Sequence, residues 1–575
     1  MREDPPATRE GGSIALVALH AGYSHSSLAL RAIRAHASGE AFHDRIRLFE
    51  TLVNQSHQGL IEALLSARPG VIGFSTYLWN IRAAIRLAGV LRQLLPDCCL
   101  VFGGPEAGPR GRELLRELPF LDYVIEGEGE AAFRDLLRWL LAGEGDPAKI
   151  SGLVYRAEGG HIRANPPRLL SPEEIPSPIA RGEADFDKSL VYWETSRGCP
   201  YRCSFCGSAD ERLRAFPLER VEADLRVLER LRDKTIKLLD RSFHLGRERT
   251  RRLLERFAQT PSGLRFHLEL NPDRISAEAM EIFRHAEAGK FQFEIGLQSL
   301  QAPVLQAVER QMEIPKALEN IRQLVAMRRH PVHLDLIVGL PGEDARQCAD
   351  SLDRVFALYP DHLQLGVLKL LPGTPLRERA LRLGYRWDRE PPYEVLSHPR
   401  LDFFQIARFK RDAELLERLW NSGLLATTLA GLAEHCFAGS VSACFDALIA
   451  EQGEGMARDK LQPDALFGGL VRFVLPRLEH QPLLAQWLLW DYARHSLVNR
   501  KTPAWIAAAL AERSKQVVDG SRRPLPVLAL SAHAVDLIRR VSGQRLDPGR
   551  YAIWPRQHLK GRPVELIRLF PETGA

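Results

Sequence analysis

The sequence predicts an α/β protein of several domains, on three observations. Two series of short apolar strands alternate with helical segments, the pattern turns to helix alone beyond residue 385, and 575 residues exceed one compact core. The first series fills 1–150. Its strand candidates are SIALVALH (13–20), RIRLFETL (45–52), VIGFSTYLW (71–79), CCLVFGGPE (98–106) and YVIEGE (123–128). Segments with helical apolar spacing, such as Asn80 to Leu95, lie between them. Near-continuous apolar strands separated by helices indicate a parallel sheet covered on both faces. Five such units make a flavodoxin-like doubly wound domain, whose ligands bind beyond the strand C-termini. Those ends are small and polar here: Ser75-Thr76, Gly103-Gly104-Pro105 and Gly127-Glu128-Gly129.

Residues 151–189 read as a connector, with a hairpin in GLVYRAEGGHIRANPP and then Pro172, Pro176 and Pro178. The second series occupies 190–384. Its candidates are LVYWETS (190–196), TIKLLDRSF (235–243), LRFHLELN (264–271), FQFEIGLQS (291–299), HLDLIVGLP (333–341) and HLQLGVLKLLP (362–372). Six such units predict a partial (β/α)6 barrel, whose site gathers at the C-terminal ends of the strands. Residues 385–575 read as a mostly helical domain, with Asp412–Trp420 and Leu483–Leu497 as amphipathic examples.

Hydrophobic residues at 45% and charged residues at 26% describe an ordinary globular composition. No apolar run approaches the ~20 residues of a membrane helix. The start, MREDPPATREGGS, is polar, and Ile14 to Leu19 is too short for a signal-peptide core. A cytoplasmic protein without a membrane partner is expected. The formal charge of +6 is small for this length and singles out no anionic partner.

Of 8 cysteines, three fall in Arg197-Gly-Cys-Pro-Tyr-Arg-Cys-Ser-Phe-Cys-Gly207, directly after the first strand of the second series. Cysteine thiolates hold iron–sulfur clusters, usually four to a 4Fe–4S centre. Three on one loop leave one iron open, and an open position distinguishes a reactive metal site from a closed one. A zinc site completed by a distant His or Cys, and three unrelated buried cysteines, are the alternatives. Cys98, Cys99, Cys348, Cys436 and Cys444 are expected to be buried, inert thiols.

With Cys199, Cys203, Cys206 and the aromatic Phe205, this loop resembles the CxxxCxΦC signature of the radical S-adenosylmethionine (SAM) superfamily. LLDRSF, LELNPDRIS, EIGLQS, DLIVGLPGED and LKLLPGTPL resemble that family's second to sixth strands. The resemblance implies that the three cysteines hold a 4Fe–4S cluster whose open iron binds SAM. An electron then cleaves SAM to methionine and a 5′-deoxyadenosyl radical, chemistry that belongs to the cofactor. It further implies SAM contacts from Glu294, Gln298 and Ser299, with Asp240 and Glu269 as further candidates. Ile337 and Gly339 would border the adenine, with Phe205 packed against it. Asp240-Arg241 stands where the family usually has Gly-Gly-Glu. Glu269 and Glu294 are equally explicable as ion-pair partners within a barrel.

FSTYLWN, VFGGPEAG and VIEGEGEAAF, upstream of the barrel, resemble a cobalamin (B12)-binding domain. Ser75, Thr76, Gly103, Gly104, Glu126 and Gly127 are the implied contacts, since small residues at strand ends admit a flat corrin ring. LHAGYSHSSLALR lacks the Asp-x-His-x-x-Gly loop that supplies a cobalt ligand in many such domains. Cobalamin bound without a protein histidine is therefore expected, with His20 or His25 as the other reading and a vestigial domain as a third. ALHAGYSHSSLALRAI and LSHPRLDFFQIARFKRDAELLERLWNSG resemble an uncharacterised B12-binding radical SAM subfamily with a helical C-terminal extension.

These resemblances imply reductive SAM cleavage and cobalamin-dependent methyl transfer to an unactivated carbon of a small molecule. A flavodoxin or ferredoxin would supply the electron. Radical rearrangement, cyclisation, RNA modification and a non-enzymatic corrinoid or redox sensor are the alternatives. tRNA methylthiolation fits poorly, because Cys98-Cys99 does not make a second cluster. The Arg-rich run 247–252 reads as a solvated helix face. Arg522-Arg523, Arg539-Arg540, Arg545 and Arg550, with Tyr551 and Trp554, are the candidate RNA contacts.

Overall fold

The computed structural model describes residues 12–209, 211–243, 246–458, 463–481, 483–494, 527–554 and 565–569. The chain divides into two compact units. One comprises Met1–Glu269, Val308–Gln311 and Lys369–Leu396, the other Leu270–Ala307, Met312–Leu368 and Ser397–Ala575.

In the first unit the expected strands form as β1 (Ser13–His20), β2 (Ile46–Leu52), β3 (Pro69–Ser75), β4 (Cys99–Gly103) and β5 (Tyr123–Ile125). The hairpin of the connector supplies β6 (Leu153–Arg156) and β7 (Ile162–Ala164), which extend the same sheet. Strand order is β2-β1-β3-β4-β5-β6-β7. The first five are parallel and the last two antiparallel. Alternation along β1 separates two cores. Ile14, Leu16 and Ala18 pack with α1 (Leu28–His36) and α5 (Gly129–Ala142), through Leu30, Phe133, Leu136 and Leu137. Ala15, Val17 and Leu19 pack with α3 (Ile81–Leu94) and α4 (Gly111–Glu117), through Ile81, Leu87, Leu114 and Leu115. The second face also takes α2 (Gln58–Ala67), through Leu64. Helices on both faces give the expected doubly wound layer.

Three parallel strands of the second series share this unit: β8 (Leu190–Trp193), β11 (Lys234–Leu238) and β12 (Leu264–Glu269). A two-residue ribbon, β9 (Ser196–Arg197) with β10 (Arg214–Ala215), brackets the cysteine loop. The helices between these strands are α6 (Leu218–Leu228) and α7 (Arg247–Ala258). Phe257 of α7 stacks on Phe266 of β12 with centroids 4.4 Å apart.

The second unit holds the other three parallel strands, β13 (Phe291–Gln298), β14 (Val332–Val338) and β15 (His362–Val367). All six expected βα strands are thus present. Beyond residue 400 the unit is chiefly helical: Phe403–Leu415, continued as a π-helix over Leu416–Asn421, then Ala426–Cys436, Val441–Gln452, Pro463–Val474, Leu483–Arg494 and Ala532–Ser542. Gly431 admits a close approach, since a Cβ there would strike the Trp487 ring. A three-stranded antiparallel sheet, Val527–Leu530 with Gly549–Trp554 and Glu565–Leu569, was not anticipated. Residues 495–497 of the expected amphipathic segment lie outside the described residues, as do Arg522-Arg523. Among the described residues no single helix is long and apolar enough to cross a membrane.

Candidate functional site

The cysteine loop leaves the C-terminal end of β8, as expected. Cys203 is buried, while Cys199 and Cys206 are half-buried. Gly198 sets the entry. Its φ is 79°, and a Cβ there would collide with the Arg212 carbonyl, so only glycine fits. The Cys199 N–H donates to the Glu211 carbonyl (3.1 Å), tying the start of the loop to its return. Arg310 donates to the Cys203 sulfur at 3.6 Å, and the Ser208 N–H to the Cys206 sulfur at 3.5 Å. Burial pushes the Cys199 and Cys206 thiols up, and neighbouring cysteines add to it.

Among the described residues no three His, Cys, Asp or Glu side chains form a group fit for one metal ion. A cluster asks less of the thiols, since each binds its own iron. Three soft sulfur donors on one loop, already accepting N–H bonds, fit that requirement. Phe205 is half-buried between Cys203 and Cys206.

Asp240 is fully buried. It accepts from the Thr195 N–H (2.8 Å) and hydroxyl (2.5 Å) and from the Ser196 hydroxyl (2.6 Å). Burial pushes its carboxyl up to about 6 despite these bonds. Both oxygens thus hold the segment leading into the cysteine loop, which gives Asp240 a positioning role there. Glu269 is half-buried at the end of β12, where its carbonyl accepts from the Phe243 N–H at 2.9 Å.

The remaining SAM candidates stand in the second unit. Glu294 is half-buried on β13. The register of β13 against β14 slips between Gly296 and Gln298, and Gln298 has a φ of 70°. Its buried Oε1 has no hydrogen-bond partner. A left-handed non-glycine residue carrying an unpaired buried acceptor is a mark of functional strain. Ser299 donates its hydroxyl to Glu343 at 2.6 Å. Burial pushes the Glu343 carboxyl up to about 7. Ile337 is half-buried on β14, and Gly339 follows with a φ of 94°.

At the C-terminal edge of the first sheet the expected residues do come together. The Thr76 N–H and hydroxyl both donate to the Gly103 carbonyl, at 2.7 and 2.8 Å, and the hydroxyl accepts from the Ala107 N–H at 3.1 Å. Gly104 has a φ of 107°, and a Cβ there would stand 2.5 Å from the Thr76 carbonyl oxygen. A Cβ on Gly103 would meet nothing nearer than 3.8 Å. Ser75 is buried, while Glu126 is half-buried and Gly127 exposed. Burial raises the Glu126 carboxyl. An edge without side chains at Gly103-Gly104, floored by Thr76, fits a flat macrocycle.

Neither histidine of the first loop is free. His20 Nε2 lies 3.0 Å from Glu50, and His25 Nδ1 lies 2.5 Å from the Tyr192 hydroxyl. Burial lowers the His25 imidazole, with neighbouring His20 and Lys237 adding to it.

Sequence reasoning missed a charged cluster behind the cysteine loop. Arg197 meets Glu130 (2.6 Å), Glu194 (3.0 Å) and Glu128 (3.4 Å), while Arg214 meets Glu128 at 2.7 Å. Burial opposes the Arg197 charge, but its carboxylates overcome it and hold the guanidinium protonated. Adjacency of Arg197 to the motif was the only signal. Arg310 gave none, standing over a hundred positions from its cysteine.

Elsewhere the minor expectations divide. Burial raises Cys98 to about 12 and lifts Cys99, Cys348, Cys436 and Cys444 as well, as befits inert thiols. In the Arg-rich run, Arg251 and Arg252 pair with surface glutamates, but half-buried Arg249 donates to the Thr195 and Phe216 carbonyls. Arg539 and Arg540 are engaged by Asp536 and Glu434.

Comparison with known families agrees with both halves of this site. Residues 14–137 match the B12 binding domain and 193–355 the radical SAM superfamily. The chain therefore carries a B12-binding domain followed by a radical SAM domain, and 4Fe–4S, SAM and cobalamin are the cofactors of those domains. Residues 382–523 match a protein family of unknown function, DUF4080.

Among individual relatives, the 2-(S-pantetheinyl)-carbapenam-3-carboxylate methyltransferase of Streptantibioticus cattleyicolor is 27% identical over 350 residues, 58% of this chain and 51% of that one. The cobalamin-dependent radical SAM methyltransferase TokK of Streptomyces tokunonensis is 28% identical over 358 residues, with the same coverage. The chain therefore spans about half the length of the curated relatives it matches. Among solved structures, the cobalamin-dependent SAM radical enzyme OxsB, with aqua-cobalamin and SAM bound, superposes with a TM-score of 0.60. That match has 15% identity and covers 90% of this chain and 82% of the other, a likeness of fold.

Proposed function

We propose that this protein is a cobalamin-dependent radical SAM methyltransferase that places a methyl group on an unactivated carbon of a small molecule. One observation carries the reading. The glycine-lined edge of the B12-binding sheet and the cysteine loop belong to the same compact unit, joined by the ion pairs of Glu128 with Arg197 and Arg214. Similarity to proteins named as methyltransferases of the same cofactor class supports it.

When bound, the cluster, SAM and cobalamin supply reductive SAM cleavage and methyl transfer by way of the corrinoid. The chain's own residues do the rest. Cys199, Cys203 and Cys206 hold the cluster, with Phe205 beside them against the adenine. Asp240 fixes the Thr195-Ser196 backbone that delivers the loop. Gln298, with its unpaired carbonyl, is our choice for a polar contact to SAM; Glu269, Glu294 and Ser299 are the other side chains assigned there, and Ile337 and Gly339 border the adenine. Ser75, Thr76, Gly103, Gly104, Glu126 and Gly127 receive the corrin without a histidine ligand. A flavodoxin or ferredoxin would deliver the electron, in the reducing cytoplasm. RNA is not our choice of substrate, because Arg539 and Arg540 of the basic stretch already face carboxylates.

The test is anaerobic purification with iron and corrinoid quantified, then product analysis with methyl-labelled SAM. Expected are 5′-deoxyadenosine and a labelled small-molecule product. Label confined to SAM-derived species, with an unmethylated but altered substrate, would replace methyl transfer by rearrangement or cyclisation. Cys203→Ala is expected to lose the cluster absorbance; full retention would refute the ligand assignment.

A further inference from the structure

We propose that Glu128, Arg197 and Arg214 form a positioning clamp through which filling of the corrin-facing strand ends is transmitted to the cysteine loop. The inference rests on the cofactor reading above and deepens it. The loop is bracketed by a ribbon of only two residue pairs, Arg197 opposite Arg214 and Ser196 opposite Ala215. So short a ribbon does not hold itself in place. Asp240 holds the Ser196 side of the ribbon, and what the two arginines grip sets the side next to Cys199.

Both grip the turn that follows β5. Glu128 is the residue before the first turn of α5 and directly follows Gly127. Its Oε1 accepts from Arg214 Nη2 (2.7 Å) and Arg197 Nη1 (3.4 Å). Its Oε2 accepts from Arg214 Nη1 (3.2 Å) and the Leu170 N–H (2.7 Å). Arg214 also donates to the Leu170 carbonyl. The remaining Arg197 nitrogens go to Glu130 at 2.6 Å and Glu194 at 3.0 Å. These side chains are 7–19% exposed, so the pairs are shielded from water. Forked guanidinium contacts on both oxygens fix direction as well as distance.

The linkage then runs without slack. Gly127 and Glu126 stand at the end of β5, among the residues assigned to the corrin. Glu128 is next in sequence, Arg197 is in its grip, and Cys199 lies two residues beyond Arg197. Between those two stands Gly198, wedged against the Arg212 carbonyl. A ligand that orders the 126–128 turn orders the ribbon too, and by reciprocity an ordered cluster loop favours the ligand. For two cofactors that must react across a fixed gap, such a clamp supplies the orientation. These are positioning residues, acting through the turn and the cysteines.

The test uses the full chain reconstituted with iron and sulfide, with hydroxocobalamin as the probe. Binding is read by visible absorbance, and local order by hydrogen–deuterium exchange. In the wild type, cobalamin is expected to slow exchange in 196–215 about fivefold, as well as in the 103–128 edge. In Glu128→Gln, and separately in Arg214→Lys, cobalamin still binds and protects the edge, but protection of 196–215 is lost. The electron paramagnetic resonance signal of the reduced cluster then no longer responds to cobalamin. Wild-type protein that binds cobalamin with no change over 196–215 overturns the clamp, as does undiminished transmission in both variants. Absence of cobalamin absorbance in the wild type overturns the cofactor reading itself, and the clamp with it.

Discussion

Asp240 offers the sharpest quantitative check, because its burial makes a prediction with a sign. The folded carboxyl titrates at about 6 against an ordinary value near 3.8. Below about 4 both folded and unfolded chains carry the proton. As pH rises, the unfolded chain releases it first, so the native state holds the extra proton until about 6. Asp240's contribution to stability is therefore greatest below the unfolded value and is lost as pH rises through the folded one. The full difference is about 3 kcal/mol, of which roughly half, about a tenfold change in an opening equilibrium, falls between about pH 5 and about pH 7.5.

Asp240→Asn keeps the shape and removes the proton. It misplaces one donor among the Thr195 and Ser196 groups, a constant cost of about 1–3 kcal/mol. The pH-dependent part then disappears. Hydrogen exchange of the peptide over 190–200, corrected for intrinsic rates, reads it locally. The ratio of variant to wild-type protection is expected to rise about tenfold from about pH 5 to about pH 7.5. A ratio that stays level would refute the burial argument, and a variant that loses SAM binding with unchanged protection would make Asp240 a direct contact.

The other predictions concern the corrin edge. Gly104→Ala puts a methyl group 2.5 Å from the Thr76 carbonyl oxygen at a φ of 107°, so the edge must distort. Cobalamin absorbance should fall sharply and the melting temperature should drop with a loss of about 1–3 kcal/mol; unchanged binding would remove the edge from the site. His20→Ala and His25→Ala should leave the spectrum of bound cobalamin unchanged, because His20 is committed to Glu50 and His25 to Tyr192. Loss of nitrogen hyperfine structure from the reduced cobalt signal in either variant would identify a histidine ligand instead.

Much of the fold was legible because apolar strand runs and helical spacing are local signals. Strand β1 spans the same residues in sequence pattern and structure. The third strand was read four residues too long, through Trp79, because its apolar run continues past the sheet. Thr76 ends it by turning its hydroxyl onto the Gly103 carbonyl, a contact with a strand 27 residues away. The connector hairpin joins the first sheet for a similar reason, since edge pairing with β5 carries no local mark. The cysteine spacing was legible as chemistry. The clamp was not, because Glu128 and Arg197 stand 69 positions apart with no periodicity between them.

Three of the candidate contacts share one physical feature. Asp240, Ser299 and Thr76 each read as groups offered to a cofactor, and in each case the polar atoms also have partners inside the protein. Asp240 takes the Thr195 and Ser196 hydroxyls, Ser299 gives its hydroxyl to Glu343, and Thr76 gives its own to a backbone carbonyl. In the first two the acid is buried and raised, so each interaction is held against a desolvation cost. That cost makes sense if the product is a fixed backbone: the run into Cys199, the strained turn at Gln298 and the Gly103-Gly104 edge. What remains open to ligands at these places includes main chain, glycine and the unpaired amide oxygen of Gln298. Recognition at such a surface works by shape and by fixed dipoles, which reorganise little when a charged and reactive group arrives. Selectivity for the substrate must then come from other residues, and the hydroxyl–carboxylate pairs hold the stage on which they act.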